Sequence, residues 1–370
     1  MKVPILDLPR QQATFGDRLI ELVSDVIGTG QYLNNQWPTL FESQFADYCG
    51  RPFAVGVGSG TSALQIALLS AGVGPGDEVI TVPNSFFAST AAILLCGATP
   101  RFVDVDERTQ LISIFLVEQE LTPRTKAILP VHLFGNVVDV MAIEAMLARR
   151  GRQDVVVIED CAHAAGASFL GQKVPLGTTG AFSFNPGKNI GALGDAGAIV
   201  TSSERLAHAA RVLRDHGRTS KTDHQVLGFN SRLRAIDDRV LALKLGKLDE
   251  WNESRRRHAS RYDKAFAGTT IQPVATALGS LHARHQYVVC VAQRDRVRAA
   301  LADRGVAAAV HYPTLIVDQP PLSRVGWTSS QFPVAAKLNN MIMSIPCFPE
   351  LSPPEISWVI DAIFSVVGSD

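Results

Sequence analysis

Two periodicities alternate along most of the chain. Residues 15–28 and 38–48 carry apolar side chains at helical spacing, the second with Leu40, Phe41, Phe45 and Tyr48 on its apolar face. Short apolar and β-branched runs then alternate with helical stretches. Residues 53–57, 78–82, 101–105, 126–131, 155–158, 181–184 and 198–201 read as strands. Residues 62–71, 88–96, 139–150 and 204–214 read as the helices between and after them. Short buried strands in that alternation predict an α/β fold: a mainly parallel sheet with helices on both faces.

The pattern changes near residue 235. One long helix is expected from there, through Leu241, Leu245, Leu248 and Trp251 to Tyr262, with a loop over 266–283. A segment at 286–292, a helix at 295–304, a strand at 307–311, a proline-rich stretch at 313–333 and helices at 334–341 and 354–366 predict a smaller α+β unit. The expected division is a large α/β domain over 1–250 and a small C-terminal domain over 251–370.

Composition narrows the function. A chain of 370 residues with 46% hydrophobic and 19% charged positions can bury a large core. Formal net charge is zero, so neither nucleic acid nor an anionic membrane is an expected partner. The five cysteines, at 49, 96, 161, 290 and 347, are scattered without a CxxC pair. That argues against a disulfide framework or zinc site and points to a reducing cytoplasm. The opening MKVPILDLPRQQ lacks the apolar core of a signal peptide, and the apolar run 86–98 is too short to span a bilayer.

The candidate chemistry centres on GAFSFNPGKNIGALGDAG, residues 180–197. Lys188 sits there among small and turn-forming residues, with no carboxylate within four positions. A lysine so placed suits covalent chemistry with a carbonyl, although an exposed loop lysine would read the same. Gly58-Ser59-Gly60-Thr61-Ser62 joins a strand to a helix. It reads either as a capped turn or as an anion cradle at a helix N-terminus. Val155–Asp160 brings two carboxylates to the C-terminal end of a buried strand, where open α/β sheets bind ligands. Asp160 there could keep a ring nitrogen protonated, or cap the next segment. His163 reads as a ligand contact or a core histidine, and Phe86 as a ring partner or core packing. Together, Lys188, Asp160 and Gly60-Thr61 meet the needs of pyridoxal phosphate: a lysine, an acid for the pyridine nitrogen and a phosphate cradle.

The stretches GSGTSALQIAL, GPGDEVITVPNSFFAS, TPRTKAILPVHLFG, VIEDCAHAAGA, FSFNPGKNIGALGDAG, LRDHGR, GFNSRLRAID and the late HYP extend the match over nearly the whole chain. Together they resemble the sugar aminotransferases of the DegT/DnrJ/EryC1/StrS family. The resemblance implies a fold type I, aspartate-aminotransferase-like enzyme whose large domain holds a mainly parallel, seven-stranded mixed sheet. It implies pyridoxal phosphate as cofactor, glutamate or glutamine as amino donor, and a nucleotide-linked keto sugar as acceptor. Lys188 resembles the lysine that holds the cofactor, and Asp160 the acid under its pyridine nitrogen. Gly60, Thr61 and Ser183 resemble phosphate ligands, and Phe86 the ring-stacking aromatic. His163 stands where the family more often has glutamine against the phenolic oxygen; an imidazole there either titrates near neutral pH or packs below the ring with fixed protonation. Asn230 resembles an asparagine reaching the phosphate from the other subunit, which implies a homodimer with shared sites. His311 and Tyr312 fall near the substrate. Alternative outcomes are amination of a keto-cyclitol or aminoglycoside ring, or a regulatory relative without catalysis. Relatives that dehydrate sugars carry histidine in place of the lysine, and Lys188 argues against that reaction.

Overall fold

The structure is a computed structural model and describes residues 1–33, 39–323 and 325–367. Its centre is a seven-stranded sheet. In spatial order the strands are Phe53–Val57, Gly197–Thr201, Thr179–Ser183, Val156–Asp160, Thr125–Ile128, Glu78–Thr81 and Thr99–Phe102. All neighbours pair in parallel except Gly197–Thr201, which runs antiparallel to both of its partners. The sheet is therefore mainly parallel and mixed, as the sequence implied. Its strands are buried almost throughout because helices cover both faces.

Local chemistry sets the helix starts. Thr39 and Glu42 form a reciprocal capping box ahead of Leu40–Tyr48, and Ser59 caps Gly60–Ser70 by accepting the Ser62 N–H. Phe41 and Phe45 are fully buried, and Phe182 and Phe184 pack edge-on against them at 5.0–5.2 Å. Leu40, expected on that apolar face, is instead exposed, because the helix turns 41 and 45 inward. The first residue of the expected helix, Pro38, lies outside the described residues.

The C-terminal part builds a second core around a three-stranded antiparallel sheet of Gln272–Pro273, Tyr287–Cys290 and Ile342–Ile345. Helices Leu248–Phe266, Arg294–Asp303 and Pro353–Val367 pack with it. The N-terminus joins this core: Val3 bridges Val306, and Leu6 packs on the same cluster.

Several expectations change. The single helix over 235–262 is two, Ala235–Leu245 and Leu248–Phe266, separated at Gly246-Lys247. Glycine is about 1 kcal/mol poorer than alanine inside a helix, and here it marks the break. Residues 307–311 are not a strand. Val306 is used by Val3 and Ala309 alone bridges Ser344, so no continuous ladder forms. The loop over 266–283 contains two short strands, Gln272–Pro273 and Ser280–Leu281. The helix Ile114–Glu120 and the strand Ile342–Ile345 are additions that the sequence pattern missed. Among the described residues no helix is long and apolar enough to cross a membrane.

Candidate active site

At the C-terminal ends of the central strands lies a cavity of about 470 Å³. Gly60, Thr61, Phe86, Asp160, His163, Ser183, Lys188 and Tyr312 all line it. Eight of the ten residues singled out in the sequence thus converge on one space.

Asp160 ends the strand Val156–Asp160. Its Oδ2 accepts from the Ser89 hydroxyl at 2.7 Å and its Oδ1 from the Ala162 N–H at 3.0 Å. Burial pushes its carboxyl up, opposed by those two donors and by the charge of Lys188. Glu159, one residue earlier, points to the other side of the sheet. It accepts from the Leu176 and Gly177 N–H groups at 2.8 and 2.7 Å, and from His132 Nε2 at 2.9 Å. His132 Nδ1 accepts the Val138 N–H, which places the ring proton on Nε2. His132, Glu159 and Cys161 lie within metal-ligand reach of one another, yet the histidine and carboxylate are already engaged by backbone N–H groups.

Lys188 sits in a tethered loop. Its N–H bonds the Asn185 carbonyl at 2.8 Å, and Asn185 Nδ2 bonds Asp195 at 2.9 Å. Farther along the loop, the Lys244 ammonium donates to the Gly191 carbonyl at 2.7 Å. Among the described residues the Lys188 ammonium forms no salt bridge within 4.0 Å. Burial lowers it to about 8, with Asp160 pulling the other way.

Gly60 is required by space. A β-carbon on it would come within 2.5 Å of the Ser183 side chain. Its absence lets the N-terminus of the helix Gly60–Ser70 close against Ser183 at one end of the cavity. Phe86 is 55% exposed, so it is not a core residue; its ring faces Tyr312 at 5.3 Å.

His163 is buried. Its Nδ1 accepts the Phe134 N–H at 3.2 Å, leaving the proton on Nε2, which faces Tyr312 Oη at 3.4 Å. The turn that delivers this N–H has Phe134 at φ 61° and Gly135 at φ 96°. Burial first, then Lys188 and His311, push His163 well below the usual histidine range. Of the two readings of this histidine, the geometry favours fixed protonation over titration near neutral pH, since protonation would need Nδ1 to give up its backbone donor in a buried setting.

Two expected residues lie elsewhere. Asn230 is exposed, outside this cavity's lining, and its Oδ1 accepts from Arg232 at 3.0 Å. His311 lines an adjoining cavity of about 260 Å³, which shares Lys188, His163, Asn185 and Tyr312 with the first. His311 Nδ1 contacts Ser344 Oγ at 2.8 Å, and burial lowers its ring to about 4. Ser89, Asn185, Asp195, Arg255 and His285 also line the two cavities and were not singled out from sequence. Ser89, Asn185 and Asp195 lay inside stretches already noted, and none carries a signal by itself.

Residues 14–364 match the DegT/DnrJ/EryC1/StrS aminotransferase family. The chain belongs to this family. It is 39% identical over 367 residues to a "Pleiotropic regulatory protein" of Geobacillus stearothermophilus, covering 98% of both chains. It is 37% identical over 364 residues to the dTDP-3-amino-3,4,6-trideoxy-alpha-D-glucose transaminase of Streptomyces venezuelae, covering 98% of this chain and 95% of the relative. Among solved structures it resembles S. venezuelae DesV, captured with a ketimine intermediate. The TM-score is 0.95 at 37% identity, and 98% of each chain is covered. The fold is that of pyridoxal-phosphate-dependent sugar aminotransferases, the reaction class is amino transfer, and the cofactor is pyridoxal phosphate.

The residues present fit that cofactor. A buried carboxylate faces the cavity, a lysine without an ion pair stands across from it, and a glycine-made gap opens at a helix N-terminus.

Proposed function

We propose that this protein is a cytoplasmic aminotransferase that moves an amino group from glutamate or glutamine to a nucleotide-linked keto sugar. The observation that carries this reading is the convergence of Lys188, Asp160 and the Gly60-Thr61-Ser183 gap on one cavity of about 470 Å³. When bound, pyridoxal phosphate supplies the carbonyl carbon that exchanges nitrogen and a ring that withdraws electrons. Gly60, Thr61 and Ser183 would hold the phosphate at the helix N-terminus. Phe86 would pack against the ring. Asp160 would keep the pyridine nitrogen protonated, its carboxylate aimed by Ser89 and the Ala162 N–H.

His163, with Nδ1 taken by the Phe134 N–H and its pKa lowered by burial, is placed to donate from Nε2. Lys188 Nζ carries the proton removed from the donor's α-carbon. With its pKa lowered to about 8, a useful fraction is the free amine at neutral pH. His311 and Tyr312 face the substrate side. The regulatory alternative would require loss of Lys188 or Asp160, and both are present.

The family resemblance supports a homodimer in which Asn230 serves the partner's phosphate site, and its exposure outside its own cavity fits that role. Mixing Lys188→Ala with Asn230→Ala subunits should restore activity through heterodimers with one intact site. No recovery after confirmed subunit exchange would assign each site to one chain. The function itself is tested with UDP- and dTDP-linked keto sugars, a keto-cyclitol and a panel of amino donors, products being read by mass spectrometry. Amination of the cyclitol alone would replace the nucleotide-sugar reading.

A further inference from the structure

The smaller cavity differs in charge from its neighbour. The 470 Å³ cavity contains Asp160 and Asp195, whereas among the described residues no carboxylate lines the 260 Å³ one. What lines it is one permanent cation, Arg255, with Lys188 at the shared boundary. Arg255 is 2% exposed, and its Nε and Nη1 are buried without a hydrogen-bond partner among the described residues. An unmet buried guanidinium is costly, and a protein keeps one where a ligand completes it. Cys347 and Glu350 act on it only through space, and among the described residues it forms no ion pair within 4.0 Å. Burial lowers Arg255 to about 10, so it stays charged at neutral pH.

The rest of the wall is fixed and electrically quiet. His285 Nδ1 meets Asn189 Oδ1 at 3.0 Å, and Asn189 Nδ2 donates to Asn252 Oδ1 at 2.7 Å and to the Ala283 carbonyl at 2.8 Å. Asn252 in turn donates to the Ala165 carbonyl at 2.9 Å. Burial holds His285 and His311 neutral, and Ile5, Leu6 and Phe348 close the apolar side. A volume of about 260 Å³ falls below the roughly 300 Å³ at which pockets for drug-sized ligands begin, so it suits an amino acid rather than a nucleotide-linked sugar.

We infer that this second cavity is the amino-donor pocket, and that Arg255 binds the donor's carboxylate while its amino group reaches Lys188. The inference rests on the aminotransferase reading above. A guanidinium offers paired N–H groups to a carboxylate, and in a dry pocket that contact sets donor affinity.

Glutarate, which carries carboxylates but no amine, is the probe for binding. Calorimetric titration of the cofactor-loaded enzyme should show glutarate binding that Arg255→Gln weakens at least tenfold, with Arg255→Lys between the two. In parallel, glutamate alone, without any sugar, should bleach the bound cofactor's visible band. Arg255→Gln should raise the glutamate concentration needed at least tenfold, while the apparent KM for the sugar acceptor stays within twofold. Glutarate affinity and glutamate dependence unchanged within twofold, with the visible band intact, would overturn the assignment.

Should Arg255→Gln fail to fold, wild type decides. n-Butylamine, a donor without a carboxylate, should be at least a hundredfold poorer than glutamate, and equal use would sink the proposal. An enzyme that binds glutarate through Arg255 but never bleaches with any donor would refute the aminotransferase reading and leave the anion site standing.

Discussion

Glu159 and Asp160 are adjacent, both buried and on the same strand, yet the fold treats them differently. Glu159 is fully engaged by two backbone N–H groups and His132. Asp160 receives two donors and keeps a side open to the cavity. The lysines repeat the contrast. Burial lowers Lys188 and Lys244 alike to about 8, but Lys244 is tied to the Gly191 carbonyl while Lys188 faces open space. A perturbed ionisable group therefore marks a reactive one here only when its functional end opens onto a cavity.

The sharpest test of this contrast is Lys188→Ala. Turnover should fall by at least about 10³-fold, since covalent attachment and proton transfer are both lost. Circular dichroism and the melting temperature should stay near wild type, because no core volume is removed. Near-normal amino transfer would end the assignment. Asp160→Asn comes next. It should cost roughly 3 kcal/mol of barrier, about a hundredfold in rate, by removing the negative partner of the ring nitrogen. An unchanged rate would reduce Asp160 to a cap.

Glu159→Gln should act in the opposite way. An amide there turns a donor toward backbone N–H groups or leaves one unmet, at about 2 kcal/mol of stability. Urea denaturation should show that loss, while kcat stays within a few-fold. A large kcat loss without destabilisation would erase the distinction between the two carboxylates.

The smallest effect concerns pH. Burial depresses His163, His282, His285 and His311, so in the folded state they are neutral well below their ordinary range. A depressed folded pKa contributes stability that is present above the unfolded value of about 6.5 and lost as pH falls below it. Stability measured by denaturant should be level from pH 7 to 8 and decline below about 6.5. Across pH 7–8 the visible spectra of wild type and His163→Gln should shift in parallel. A titration near neutral pH that His163→Gln removes would contradict the neutral imidazole placed here by the Phe134 N–H.

Much of this protein is written locally. Strand runs such as Phe53–Val57 and Val156–Asp160, capped helix starts at Thr39 and Ser59, and the glycine-flanked Lys188 are short-range patterns, and they suffice for the α/β class and a mainly parallel sheet, while the mixed sheet and the candidate cofactor residues were legible only through the family resemblance. What eluded the pattern depends on contacts distant in sequence. The pairing of Ile342–Ile345 with Tyr287–Cys290 is one case.

The protonation of His163 belongs here too, since its Nδ1 is occupied by an N–H from a turn 29 positions earlier. So does the isolation of Arg255, which in sequence is one of three consecutive arginines on a charged helix. Sequence determines which groups are available and which local structures carry them. Only the tertiary structure decides which of those groups are satisfied, because desolvation and hydrogen-bond partners come from elements that meet in space and not along the chain.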